Sequence, residues 1–450
     1  MEQFIADPTR LILAAIIGIL FLLFLIIKCK LQAVIAIIIS AIVIGVIAGM
    51  PLLMIVDTVN KGMGETLKGI ALLVGLGSMF GAILEISGGA QKIANTLVNK
   101  FGDSKAAWAL GITGMVVATP VFFDAGLIIL IPLAFSTAKK TGKSTMYYAI
   151  PLLAGLAVGH TFIPPTPGPV LVANMLGVDL GLVIAVGVGV GLVAMLCGGI
   201  LFGRYCGGKF NVPVPKNYAE MPDVDESKMP GFFTVVGIIL IPLVFILLNT
   251  VSGVVPALTS LRPILGFIGT PFISLTISTV IALYVLGTKH GYSADELEKV
   301  MSRSLAPTGM IMLVTAGGGV LRYMLQDSGL GNVIGAVVAQ TPLPLVLVAF
   351  LVAGLVRISV GSATVAMTMA AGIMASMPEV SALSPIHLAA MTASIAGGAT
   401  IMSHVNDSGF WLVKQLMEID EKTTLKTWTI METIVGVTGC VGALILSTFM

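Results

Sequence analysis

The sequence predicts an all-α, polytopic membrane protein built from two inverted repeats. Three observations carry this. Hydrophobic residues make up 57% of the 450 positions and charged residues only 10%, against about 25% charged in soluble domains. Mean hydropathy is +1.05, so a soluble fold of this size would have almost no polar shell to offer. Finally, interruptions in the apolar runs recur at one offset in the two halves of the chain.

A span needs roughly 20 apolar residues. Uninterrupted candidates are 11–27, 31–49, 69–86, 180–203, 232–249, 264–287, 306–325 and 428–448. The first run has no small-residue cleavage site after it and reads as a span that stays. Four longer stretches, 107–137, 147–178, 343–374 and 387–416, are broken near their middles. The polar segment 208–230 divides the chain into a first repeat, 1–207, and a second, 231–450, and reads as a cytoplasmic loop.

Lysines orient the chain. Lys28 and Lys30 follow the first span and place that loop inside and the N-terminus outside. Lys92, Lys100 and Lys105, and then Lys139, Lys140 and Lys143, bracket 107–137 on one face. That stretch therefore reads as a re-entrant hairpin with its turn at Pro120 to Gly126. A shift of 241 residues places Ser87-Gly88 on Ser328-Gly329, this turn on Gly361 to Met367, and Pro164–Pro169 on Val405–Phe410. Window 82–172 holds six lysines, and its counterpart 323–413 holds none. The second half is thus expected to be inverted, with about five spans and one hairpin per half, broken helices meeting at the midplane, and both termini outside. Inverted repeats with broken elements at the midplane belong to secondary transporters.

Irregular backbone at membrane depth survives only inside protein or along a watery cavity. The candidate site therefore gathers Phe122, Phe123 and Asp124 from one hairpin tip and Gly361, Ser362 and Thr364 from the other. The breaks add His160, Thr166 and Gly168, then Ser403, His404, Asn406, Asp407 and Ser408. Half-helix N-termini suit a substrate carboxylate, and hydroxyl and amide oxygens suit sugar hydroxyls or cations. Asp124, a carboxylate in mid-hairpin, is expected to be functional. Asp407 carries a proton, binds substrate or caps a half-helix. Arg357 neutralises an anionic substrate, pairs with an aspartate or snorkels to the outer face. His160 and His404 shuttle protons or rest on backbone carbonyls. Net charge is +2, with no nucleic-acid footprint. The four cysteines have no metal spacing, and neither cofactor nor metal is expected. An intramembrane protease or a passive channel leaves the repeated breaks unexplained, and no GxGD or GxSG motif occurs.

FFDAGLIILIPLAF, H-x3-PP-x-PGP at His160 to Pro169, GSATVA, and SHVNDSGFW at Ser403 to Trp411 resemble the gluconate permease family of gluconate:proton symporters along the whole chain. The resemblance implies kinship with the inverted-repeat ion transporter superfamily. It also implies proton-coupled uptake of gluconate or a related sugar acid across the bacterial inner membrane, and a homodimer. Members also take glycerate-type acids or D-serine. A sodium-coupled carboxylate carrier is the alternative, since Asn406, Ser362 and carbonyls also suit sodium. Thr166 stands where the family usually has histidine, which bears on both the substrate and proton movement.

Overall fold

The computed structural model describes residues 7–215, 229–253, 255–339 and 341–448. Most of the predicted polar loop, 216–228, lies outside the described residues. Among the described residues the secondary structure is helical throughout, with no strand. Eight helices among the described residues are long and apolar enough to cross a membrane.

The first half runs α1 (Pro8–Ile27), α2 (Ala33–Ala48), α3 (Leu52–Ile86), α4 (Gly89–Phe101), α5 (Ala106–Val117), α6 (Phe123–Thr141), α7 (Met146–Phe162), α8 (Pro167–Leu176) and α9 (Leu180–Lys209). The second runs α10 (Phe232–Ser252), α11 (Arg262–Ile268), α12 (Pro271–His290), α13 (Ala294–Asp327), α14 (Leu330–Ala339), α15 (Leu345–Val360), α16 (Ala363–Ala375), α17 (Pro378–Ser381), α18 (Pro385–Thr400), α19 (Ser408–Leu416) and α20 (Glu421–Thr448). Shifted by 241, the starts of α4, α8 and α9 at 89, 167 and 180 fall on those of α14, α19 and α20 at 330, 408 and 421. Local geometry repeats as well. Ser87 and Ser328 each donate to the carbonyl three residues back and accept from the amide two residues on. Gly88 and Gly329 follow with φ of 70° and 81°, a left-handed conformation that glycine adopts at no steric cost.

Two spans are longer than the apolar runs suggested. Helix α3 begins at Leu52 rather than near 69, and α13 at Ala294 rather than near 306. The N-terminal half of α3 carries Asp57, Lys61, Glu65 and Lys68, and the start of α13 carries Asp295, Glu296, Glu298 and Lys299. Charge ends an apolar window but not a helix, because the glutamates and lysines among these are good helix formers. Conversely, the predicted span 264–287 is split at Gly269 and Thr270, between α11 and α12.

Helices α3 and α13 pack along each other as the most extensive pair. A Cβ on Gly62 would lie 2.6 Å from the Val320 Cα, and one on Gly319 would lie 2.7 Å from the Gly62 carbonyl. Small residues permit this approach, which replaces the hydrophobic drive missing between helices in lipid. A second group forms around α5–α7, α15–α18 and α18–α20. Gly114 and Gly155 seat α5 on α7, and Gly397 and Gly436 seat α18 on α20, backbone against backbone. Leu52, Leu53, Phe233, Phe267 and Leu355 are exposed on the outside, as lipid-facing positions should be.

Candidate functional site

The chain turns where hairpin tips are expected, between α5 and α6 and between α15 and α16, and the helix is interrupted where breaks are expected, between α7 and α8 and between α18 and α19. Each hairpin turn faces the break of its own half. Thr119 to Phe122 line a small cleft with Pro165 to Pro167 and with Gly77 and Ser78 of α3. At the second hairpin, a Cβ on Gly361 would lie 2.1 Å from the Asn406 carbonyl. The halves also touch each other here. Phe123 lies 5.4 Å, ring to ring, from Trp428, Gly168 abuts Met367, and the Thr400 hydroxyl donates to that of Thr161 at 3.3 Å.

The breaks solve the orphan-amide problem in different ways. After α7 the chain reads Pro164, Pro165, Thr166, Pro167, Gly168, Pro169, so most donors that helix ends leave unsatisfied are simply missing. The Thr166 hydroxyl donates back to the Ile163 carbonyl at 2.6 Å. After α18, residues 401–407 keep their amides, the Asp407 amide bonds the His404 carbonyl, and α20 bonds Met402 and Ser403. The Met402 amide donates to the Thr433 hydroxyl at 3.1 Å, Thr429 donates to the Ser403 carbonyl, and the Trp428 indole donates to the Ser403 hydroxyl at 2.7 Å. Trp428 and Thr429 lie in a π-turn, Leu425–Thr429, a distortion frequent at functional sites.

At the centre lies a buried ion pair. The Arg357 guanidinium, 3% exposed, donates to the Asp407 carboxylate, 8% exposed, at 2.5 Å. It also donates to the Gly361 carbonyl at 2.5 Å, and its Nε has no hydrogen-bond partner. Asp407 accepts in addition from the Ser403 hydroxyl and, at 3.0 Å, from the Gly409 amide. In this structure Arg357 pairs with the aspartate and Asp407 caps α19. That cap has a consequence for the expected carboxylate sites. The α19 N-terminus is already filled by Asp407, and Pro167 and Pro169 leave Gly168 as the sole free amide of the first three in α8. The N-terminus of α16 has more to offer. There the Ser362 hydroxyl accepts only from the Val365 amide, at 3.4 Å, and Thr364 is the second residue of the helix.

Asp124, in the first turn of α6, is exposed and lies within electrostatic range of Asp407. His160 ends α7, edge-on to Phe122 at 6.4 Å, with a buried Nδ1 that has no partner. The His404 ring nitrogen and the Asn406 amide both bind the Ile358 carbonyl, at 3.0 and 2.8 Å. Ser408 is exposed beside them. Sequence reasoning missed Glu432, which is buried at 4% exposure beside the ion pair. It is the one charged residue in the apolar run 428–448, and the rule that singled out Asp124 applies to it equally.

Comparison with known proteins agrees with this architecture. The chain is 38% identical over 436 residues to the low-affinity gluconate transporter of Escherichia coli, covering 97% of this chain and 98% of that one. It is 37% identical over 442 residues to a gluconate permease of Pseudomonas aeruginosa, covering 97% of each. It is 34% identical over 428 residues to the Gnt-II system L-idonate transporter of Escherichia coli, covering 95% and 97%. Among solved structures, the YdaH transporter of Alcanivorax borkumensis superposes with a TM-score of 0.65 at 15% identity over 88% of each chain. MtrF of Neisseria gonorrhoeae does so at 0.62 and 15%, over 88% and 84%. The fold is thus that of a multi-pass membrane transporter. The profile described as GntP family permease matches residues 10–449, and the chain belongs to that family.

Proposed function

We propose that this chain takes up a small sugar acid, gluconate or a near relative, by proton symport with alternating access. The observation that carries the reading is the buried Arg357–Asp407 pair at the junction of a hairpin turn and a broken helix. The gluconate and idonate names of the relatives support the substrate class. Inverted halves, 1–207 and 231–450, with 208–230 as a cytoplasmic loop, would place both breaks at the bilayer midplane. Both hairpins would then be re-entrant and both termini outside. A bacterial inner membrane is the setting, with a homodimer as the assembly.

In this reading the substrate carboxylate meets the N-terminus of α16 and the Gly168 amide. Ser362, Thr364, Asn406 and Ser408 hold its hydroxyls. Two carboxylates, Asp407 and Glu432, share one arginine in this cluster, and a third, Asp124, lies within electrostatic range of Asp407. An anionic substrate enters such a cluster only when a cation comes with it, and a proton on a carboxylate supplies that cation.

The test is uptake of radiolabelled gluconate into proteoliposomes under an imposed pH gradient or, separately, a sodium gradient. The pH gradient is expected to drive accumulation. Asp124→Asn is expected to lose it by about 10²-fold, the scale of a group that relays the proton between water and the buried cluster without being its final holder. Accumulation driven by sodium alone would replace the proton with sodium. Uptake of D-serine or glycerate but not gluconate would change the substrate class.

A milder outcome is expected at Thr166. Its hydroxyl is spent on its own Ile163 carbonyl. Thr166→Ala therefore costs about 1 kcal/mol of stability, the net worth of one hydrogen bond. It should leave the rank order of gluconate, idonate and D-serine unchanged in competition uptake. A reordering would place the hydroxyl against substrate.

A further inference from the structure

One face of α20 holds the second break. Trp428, Thr429, Glu432, Thr433 and Gly436 share it, spaced as one helix face requires. Trp428, Thr429 and Thr433 each bond a group of residues 402–403, and Gly436 lies against the Gly397 carbonyl and Ile401. Glu432 alone breaks the pattern, since it is 4% exposed and its Oε1 has no hydrogen-bond partner. A carboxylate so placed is tolerated only when neutral or paired.

The groups around it limit the pairing. Arg357 of α15 and Asp407, at the start of α19, act on Glu432 electrostatically. His160 of α7 and Asp124 of α6 belong to the same cluster. Helix α9 brings Cys197, next to the Gly198 that touches Met431 and Val435. The titratable residue of α18 is His387, which bonds the Ser447 carbonyl, about 22 Å along α20 from Glu432. Among the described residues, Arg357 is thus the permanent cation that acts on Glu432. Its two terminal nitrogens already serve Asp407 and Gly361, while its Nε is unsatisfied. Asp407, by contrast, keeps the Ser403 hydroxyl and the Gly409 amide even without the arginine.

We propose that Glu432 is the residue that binds the transported proton, and that Arg357 exchanges between Asp407 and Glu432 as the proton arrives and leaves. The inference rests on the transport reading above and deepens it. A proton from the outer side converts the Glu432 carboxylate to the neutral acid, and Arg357 stays on Asp407. On the inner side the acid returns that proton to water, and the resulting carboxylate takes an N–H of Arg357. One proton and one substrate anion move together, so the cycle carries no net charge. The proton site and the substrate site then communicate through a single guanidinium, whose other contact, the Gly361 carbonyl, closes the tip of the hairpin.

The test uses full-length protein in proteoliposomes and the variant Glu432→Gln, a neutral isostere of the protonated state. Exchange of internal gluconate for external labelled gluconate needs no net proton movement. It is expected to persist in E432Q and to lose its pH dependence. Accumulation driven by a pH gradient, and proton entry read by a trapped pH dye, are expected to be lost. E432Q that still carries protons with substrate overturns the proposal. Should E432Q fail to fold, Glu432→Asp decides. A shifted pH profile of uptake supports the assignment, and an unchanged profile overturns it. Infrared difference spectra across a pH step provide a readout free of substrate. A carboxylic-acid C=O band present in wild type and absent in the variant assigns the proton to Glu432. The same band in both excludes it, whatever the substrate proves to be. Wild-type protein that takes up nothing under a pH gradient would count against the transport reading, not against this assignment.

Discussion

Arg357→Met abolishes uptake and lowers thermal stability in detergent, and Asp407→Asn does the same. Each variant removes one partner of a pair that is 3% and 8% exposed. Removing one partner of a buried ion pair typically costs about 3–5 kcal/mol, because the remaining charge is left without compensation. The damage here is concentrated at the site. Without Arg357, Asp407 retains two donors, but the Gly361 carbonyl loses the guanidinium that ties the hairpin tip to the break. Without the carboxylate, a guanidinium with an already unsatisfied Nε loses its one counter-ion in direct contact. The double variant Arg357→Met with Asp407→Leu separates structure from function. Removing both charges is often neutral for stability, so melting temperature is expected to recover toward wild type while uptake stays absent. Recovery of uptake as well would make the pair a structural tie and move the coupling site elsewhere.

Gly361→Ala is the second large effect. Gly361 has φ +79°, where an L-residue costs about 1–2 kcal/mol. The new Cβ would lie 2.1 Å from the Asn406 carbonyl, a backbone atom that cannot swing away. The turn and the break must then separate, which breaks the bonds from Asn406 and His404 to the Ile358 carbonyl. Uptake is expected to fall by about 10²-fold, since displacements on the ångström scale cost that much where groups must be positioned. Gly142→Ala is the control. Its φ is +68° but no atom lies within 4 Å of the added Cβ, so it carries only the backbone cost and should transport normally. Equal loss in both variants would mean that conformational strain, not the hairpin–break contact, is responsible.

Membrane class and the positions of the helix breaks are legible in the sequence. Apolar length, and proline or glycine inside it, act locally and need no partner to be read. Span ends differ where charged residues continue a helix beyond its apolar run, as in the N-terminal parts of α3 and α13. Glu432 escaped notice because a single carboxylate near the start of an otherwise clean span does not disturb the hydropathy of that span.

Within the site, the residue list came from the chain and the bonding did not. Residue type alone made Arg357, Asp407, Asp124 and His160 candidates, since ionisable groups at membrane depth are too costly to be idle. Which role each takes is a matter of distance. Arg357 and Asp407 stand fifty residues apart in sequence, and only the packing of α15 against α18 brings the guanidinium to the carboxylate. The same packing puts Asp407, rather than a bound anion, on the N-terminus of α19, and sets α20 beside residues 401–407 so that Glu432 faces the pair. Sequence determined where the helices must break, because a missing amide or a buried charge is written in the residue itself. Tertiary structure decided which freed groups meet, because a hydrogen bond depends on positions that only the packed helices define.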